Sequence, residues 1–198
     1  LAPARKLVTR VILLGPAHRV AFDGIATHSA DVFLTPLGAV PLDRRVIQQL
    51  IDLEHVSIND EAHATEHSLE VHLPFLQSAL ASFQLVPLLV GHSPPNQVST
   101  ILELVWGGPE TLIIISSDLS HYHSYTDAQR MDRTTSSAIE ALNADVIHYD
   151  DACGRLPVQG LIESARLHHL HAQLLDLRNS GDTAGSRDQV VGYGAYAF

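Results

Sequence analysis

Residues 111–121, TLIIISSDLSH, combine the strongest strand signal of the chain with a mostly polar string. Thr111 to Ile115 is a short run of β-branched and aliphatic residues, which predicts a strand. The string that follows it includes Asp118 and His121. Because ligands of open α/β sheets gather where loops leave the carboxyl ends of strands, these two residues are candidates for a functional site.

Other apolar runs predict further strands and helices. Arg10 to Leu14 (RVILL) predicts a buried strand that ends at Gly15-Pro16 and delivers His18 into the next loop. Further strands are predicted at Gln84–Gly91, in VVGYGAYAF at the end of the chain, and on both sides of a turn within residues 31–43. Helices are predicted after the caps Asp43 and Ser93, from Pro74, from Thr126 to Leu142, and from Cys153 through about Leu174.

Strands that alternate with helices indicate an α/β fold. We therefore expect a layered sandwich in which helices pack on both faces of a central mixed or mostly parallel sheet. A length of 198 residues with 45% hydrophobic content suits one compact core. We accordingly expect a single domain over residues 1–198.

The charge balance and the cysteine count limit the partners of this chain. With 12 basic and 22 acidic residues, its formal charge of -10 disfavours nucleic acid and anionic membranes. The one cysteine excludes an internal disulfide, which is typical of a reducing compartment. Because no apolar stretch approaches the roughly 20 residues of a bilayer-spanning helix, we expect a soluble, cytoplasmic protein.

His18, Asp118 and His121 each follow a predicted strand, and we expect them to meet in one pocket. Neutral imidazoles bind metals, and a carboxylate either ligates or orients them. The alternative is that each histidine merely satisfies its own loop, since the chain has 13 histidines.

Cys153 precedes Gly154 and Arg155 at a predicted helix start. The helix dipole and the cation are expected to lower its pKa, which suits a nucleophile or a soft metal ligand. A small buried apolar side chain is the alternative interpretation.

Two histidine-rich strings fit a site less well. In residues 66–72, EHSLEVH, the spacing is not H-E-x-x-H and Pro74 follows closely, so a pocket wall or a structural loop is expected. Residues 168–171, HHLH, fall on a predicted helix where neighbours do not share a face, so a solvated or partner-facing patch is expected.

Five segments in this order, VILLGPAH, EHSLEVHLPFL, VPLLVG, SSDLSHY and CGRLP, resemble the Memo family, also called AmmeMemoRadiSam system protein B. The resemblance covers essentially the whole chain. It implies a fold similar to that of class III extradiol dioxygenases and a mononuclear metal pocket. His18 of GPAH and Cys153 of CGRLP match metal ligands of the family, whereas Asp118 and His121 of SSDLSH line the same pocket as candidate catalytic residues.

The chain departs from the family pattern at its start. Family members have an upstream segment of the type A-P-H-A-G-Y, whose histidine is a further ligand, and these 198 residues contain none. We expect either a fragment of a longer protein, which is the favoured interpretation, or a shortened relative that recruits another ligand such as His121.

The ligand set and the resemblance leave three functions open. Nitrogen and sulfur donors suit iron, copper or zinc, so a metal-dependent redox or dioxygenase-like enzyme is the first. A scaffold that binds a peptide or protein is the second, and a pseudoenzyme with an incomplete site is the third. The family name also implies a radical-SAM protein and an Ammecr-like protein as partners.

Overall fold

The computed structural model describes residues 4–183 and 185–198, which group into two compact units, 4–116 and 117–198. The prediction of one domain over residues 1–198 stays a prediction. The first unit consists of helices α1 (Ala4–Leu7), α2 (Arg44–Ile51), α3 (Asp60–Ala64), α4 (Leu73–Ala79) and α5 (Pro95–Val105), and strands β1 (Arg10–Pro16), β2 (Ile25–Thr27), β3 (Val32–Thr35), β4 (Gly38–Pro41), β5 (Val56–Ile58), β6 (Gln84–Val90) and β7 (Thr111–Ile115).

The first unit is built on a five-stranded sheet in the order β5-β2-β6-β1-β7. β1 runs parallel to both of its neighbours, β6 and β7, and β2 runs parallel to β5. Only the β2–β6 pair among these is antiparallel. Helices flank the sheet, with α2 against β5 and β6 and α3 against β2. The predicted α/β architecture with a mostly parallel mixed sheet is therefore confirmed.

Strand β1, which lies between β6 and β7, is almost entirely buried. Val11, Ile12, Leu13 and Leu14 of β1 have no exposed surface. A continuous apolar run fits this position, because a strand covered on both faces has no solvent side to alternate with. β7 has an even stronger apolar sequence, but it stands at the end of the sheet order and all of its residues are partly exposed.

The paired strands predicted within residues 31–43 and the helix predicted after Asp43 are also confirmed. β3 and β4 pair antiparallel, with Thr35 opposite Gly38 across the turn. The carboxylate of Asp43 accepts a hydrogen bond from Val46 N at 3.1 Å and so caps α2. The prediction that Ser93 caps α5 is wrong. Pro94 is the N-cap residue, and the Ser93 hydroxyl donates to Gln97 Oε1 instead.

The second unit contains an antiparallel sheet in the order β8-β10-β9, formed by β8 (His121–His123), β9 (Gln173–Asn179) and β10 (Val190–Ala197), with helices α6 (Tyr125–Glu140) and α7 (Arg155–Leu167). Its core cluster shares apolar side chains from the loops and both helices, namely Leu119, Ala138, Ile139, Ala144, Ile147, Ala152 and Ile162. The helix predicted to continue to Leu174 is wrong after Leu167. α7 ends at Leu167, and His169 adopts a left-handed φ of 55°, which breaks the helix before β9 begins.

Candidate metal centre

Hydrogen bonds join the loop after β7 to the loop before α7. Asp118 N donates to Cys153 Sγ at 3.2 Å, and Cys153 N donates to Asp118 O, also at 3.2 Å. Gly154 N donates to Ser117 Oγ at 2.9 Å. These bonds fix the sulfur of Cys153 beside the Asp118 backbone, so two segments 35 residues apart in sequence share one small site.

Three potential metal ligands converge there. One ligand atom from each of Asp118, His121 and Cys153 lies within 4.8 Å of the other two. Asp118 Oδ2 is 3.8 Å from His121 Nε2. The second unit thus brings together three of the four site residues singled out from the sequence, and His18 belongs to the first unit.

The prediction of a low Cys153 pKa is wrong. Burial raises the pKa of the Cys153 thiol, and the carboxylate of Asp118 raises it further, although the Asp118 N–H opposes them. The helix begins only at Arg155, whose guanidinium lies over the Tyr149 ring, 6.0 Å from its centroid. The cation is therefore engaged with an aromatic face. The thiol is half-buried and keeps its proton at neutral pH.

A β-bulge places His121. In the β8–β10 pair, Val191 lies opposite His121 and Val190 lies opposite His123, so Tyr122 is an extra residue. Tyr122 has a φ of 60°, which is uncommon for a residue other than glycine. Such bulges bend a strand and re-aim its side chains, and they are frequent next to functional sites.

The buried carboxyl group of Asp132, which the sequence did not single out, binds the loop that precedes His121. Asp132 Oδ1 accepts from Ser120 N at 3.0 Å, and Gly192 holds the loop from the other side through bonds to Leu119 and Ser120. Asp132 is 2% exposed, and burial raises its pKa. A signal did exist, because Asp132 falls on the buried stripe of α6 with Ala128, Thr135, Ser136 and Ile139. An acid on such a stripe indicates a specific partner.

His18 is held by a second buried acid, Glu66. The Glu66 carboxylate accepts from His18 N at 2.5 Å and contacts His18 Nδ1 at 3.0 Å. It also accepts from the backbone N–H groups of His67 and Ser68, at 2.9 and 3.0 Å. Burial alone would raise the Glu66 pKa, but these bonds, led by those from His18, lower the pKa to about 2.

The Glu66 contact has a consequence for the His18 ring. A carboxylate oxygen only accepts, so His18 Nδ1 carries a hydrogen, and in the neutral ring Nε2 keeps a free lone pair. A histidine bound at one nitrogen by a carboxylate is the common arrangement of metal ligands in proteins. The loop expected for residues 66–72 is observed up to a short 3-10 helix at Glu70–His72, and its Glu66 carboxylate binds His18.

The string HHLH, residues 168–171, is expected from the sequence to be a solvated or partner-facing patch on a helix. His168, His169 and His171 are exposed and lie at or beyond the end of α7, so they were wrongly placed within a helix.

Across residues 4–183 and 185–198, every helix falls short of the length and apolar character needed to cross a bilayer.

Comparison with known proteins agrees with the motifs. The family model described as Memo-like protein matches residues 3–197, which run through both units. A MEMO1 family protein of Aquifex aeolicus is 35% identical over 195 residues, covering 93% of this chain and 73% of the relative. MEMO1 family proteins of Aeropyrum pernix and Ignicoccus hospitalis are each 33% identical, covering 93% and 95% of this chain and 70% and 71% of the relatives. The chain therefore belongs to the Memo-like protein family.

Proposed function

We propose that this chain binds a single metal ion through Cys153, with His121 and Asp118 as further ligands. The observation that carries the proposal is the convergence of a sulfur, an imidazole nitrogen and a carboxylate oxygen within 4.8 Å. With metal–ligand bonds of about 2.0–2.3 Å, ligand atoms of a tetrahedral site lie about 3.3–3.8 Å apart. The group fits such an ion after a small inward movement of these side chains.

The donor set favours iron, copper or zinc over magnesium or calcium, because thiolate and imidazole are soft to borderline donors. When bound, such a metal supplies Lewis acidity or electron transfer to a small organic molecule. A redox or dioxygenase-like reaction is the activity we propose, with the Memo-family resemblance as support.

The side chains around the site have separate roles in this proposal. Cys153 provides the anchoring sulfur, and the Asp118 N–H bond at 3.2 Å stabilises its thiolate form. His121 and Asp118 lie 3.8 Å apart, so a proton would pass between them through one bridging water when one of them is not ligating. The resemblance also assigns His18 as a ligand, which stays a prediction that a His18→Ala variant tests.

The wider setting is proposed on the resemblance. A cytoplasmic location would keep Cys153 reduced, as its role as a ligand requires. A small molecule or peptide, a radical-SAM protein and an Ammecr-like protein are the partners that the family name suggests. A peptide-binding scaffold is the competing function, and it predicts binding that is indifferent to chelators.

Titration with Zn²⁺ tests the ligand set. Because the pKa of the Cys153 thiol is raised, the thiol is protonated at pH 7 and must lose its proton to bind. We expect release of about one proton per Zn²⁺ from this group, and an affinity that rises about tenfold per pH unit from pH 6 to 8. Calorimetry in two buffers of different ionisation enthalpy counts the protons.

Variants separate the roles of the neighbouring side chains in this titration. Cys153→Ser should abolish the proton release and weaken Zn²⁺ binding at least a hundredfold, whereas His171→Ala, an exposed histidine of the same unit, should change neither. If His121→Ala binds Zn²⁺ as tightly as the wild type, His121 is a proton carrier and not a ligand. If Cys153→Ser does so, the proposed centre is wrong.

A further inference from the structure

The first unit contains a cavity of about 520 Å³ that the proposed metal centre does not use. It lies between the β3–β4 hairpin and residues 69–74, which run from the loop into α4. Pockets of about 300–1,000 Å³ are the usual size for small-molecule ligands. The bond from Thr35 Oγ1 to Gln77 Oε1, at 2.6 Å, ties the hairpin to α4 and closes one side.

Aromatic rings form one wall of this cavity. His28 and Phe33 meet edge to face, with ring centroids 5.2 Å apart, and His28 meets His63 in the same way at 5.3 Å. Aliphatic side chains cover most of the rest, including Val32, Leu34, Leu69, Leu73 and Leu89. The cavity therefore offers both an apolar body and π faces to a ligand.

The buried imidazole of His63 is uncharged at neutral pH. His63 Nε2 donates to the Ala26 carbonyl at 3.2 Å, and burial lowers the His63 pKa to about 4. The other imidazole, His28, has its Nδ1 2.9 Å from Ala30 N and 3.3 Å from the Asp60 carboxylate. The His63 ring therefore contributes no positive charge to the wall.

The charged groups around the cavity are mainly acidic. Glu66 and Glu70 line it, and no lysine or arginine is among its lining residues within the described part of the chain. Glu70 also contacts His67 Nδ1 at 2.7 Å. Arg44 donates to the carbonyl oxygens of His28 and Ala30 but is not itself a lining residue. The wall therefore favours a cation and disfavours an anion.

We propose that this cavity binds a small organic ammonium ion with an aromatic or branched aliphatic body. The rings of Phe33 and His63 provide the π faces that attract such a cation, and the two carboxylates add charge complementarity. The aliphatic side chains cover the body of the ligand. The binding needs no metal, so it stands or falls separately from the proposed metal centre.

Calorimetry with three probes of similar size tests the proposal on the wild-type chain. We expect benzyltrimethylammonium to bind at least about tenfold more tightly than benzyl alcohol, and phenylacetate to bind least. Equal binding of phenylacetate and the ammonium probe would overturn the proposal, as would no binding of any probe. A parallel Zn²⁺ titration reports the metal centre independently.

Two variants locate the binding. Phe33→Leu keeps an apolar side chain but removes a π face, and should weaken the ammonium probe about tenfold while leaving benzyl alcohol within about threefold. Glu70→Gln, at an exposed residue, should reduce the preference for the cation over phenylacetate. The matched controls Phe75→Leu and Glu61→Gln lie outside the lining and should change neither. Unchanged binding in both Phe33→Leu and Glu70→Gln would contradict the assignment to this cavity.

Discussion

Replacing Glu66 by alanine should lower the free energy of unfolding of the first unit by about 3–5 kcal/mol, because it leaves several donors without their acceptor. The carboxylate binds three backbone N–H groups, of His18, His67 and Ser68, in addition to the His18 ring. Its side chain is only 4% exposed, so water cannot fully replace these bonds. Chemical denaturation followed by circular dichroism measures the change.

Glu66→Gln should have a smaller effect than Glu66→Ala. The amide keeps one oxygen for the backbone donors but places an NH₂ group against another donor. Glu61→Ala, an exposed glutamate of the same unit, should change stability by less than about 0.5 kcal/mol. Equal stability of Glu66→Ala and Glu61→Ala would show that the bonds around His18 contribute little.

The same carboxylate should make stability depend on acid. The folded pKa of Glu66, about 2, lies below the ordinary value of about 4.3, so its contribution is complete above pH 4.3. That contribution is lost as the pH falls from 4.3 through 2. Between these values the wild type should lose more stability than Glu66→Gln. If the free energy of unfolding falls with pH to the same extent in both proteins, the lowered pKa of Glu66 would be contradicted.

Gly192→Ala should destabilise the second unit by about 2–4 kcal/mol and weaken Zn²⁺ binding. A Cβ at this position would lie 2.2 Å from Asp132 Oδ2, and the rest of the carboxyl group would be within 2.6 Å. Asp132 cannot move away freely, because it is buried and holds Ser120 N. Thermal unfolding and the Zn²⁺ titration together measure both effects.

A double-mutant cycle tests the cause of that effect. Asp132→Ala alone should be destabilising, because Ser120 N loses its buried acceptor. In the Asp132→Ala background, however, Gly192→Ala should cost at least about 1 kcal/mol less than it does in the wild type. Gly108→Ala is the control, since its new Cβ would meet only the end of the exposed Glu110 side chain. Strict additivity would place the source of the strain elsewhere.

The central part of the fold was readable from the sequence because its signals are local. β1 and β6 are continuous apolar runs with clear ends, and Asp43 is a helix cap of an ordinary type. β9 was missed because QLLDLRN has no β-branched residue. Its conformation depends on pairing with β10, and strand formation of that kind follows tertiary context more than propensity.

The candidate site was predictable in its members but not in its supports. Cys153, Asp118 and His121 carry recognisable metal-binding chemistry, and the structure places them together. The raised pKa of Cys153 depends on burial, which adjacent residues do not reveal. Glu66 binds the backbone N–H of His18, 48 residues away, and Asp132 binds that of Ser120, 12 residues away; such pairings appear only once the chain is folded.

The metal content of the purified chain tests whether Cys153 holds a metal ion. The protein is prepared anaerobically without added metal, as wild type, Cys153→Ser and the control His171→Ala, and each is measured by elemental analysis. We expect close to one equivalent of iron, copper or zinc in the wild type and the control, and less than about a tenth of that in Cys153→Ser. A metal-free wild type, or equal metal in Cys153→Ser, would contradict it.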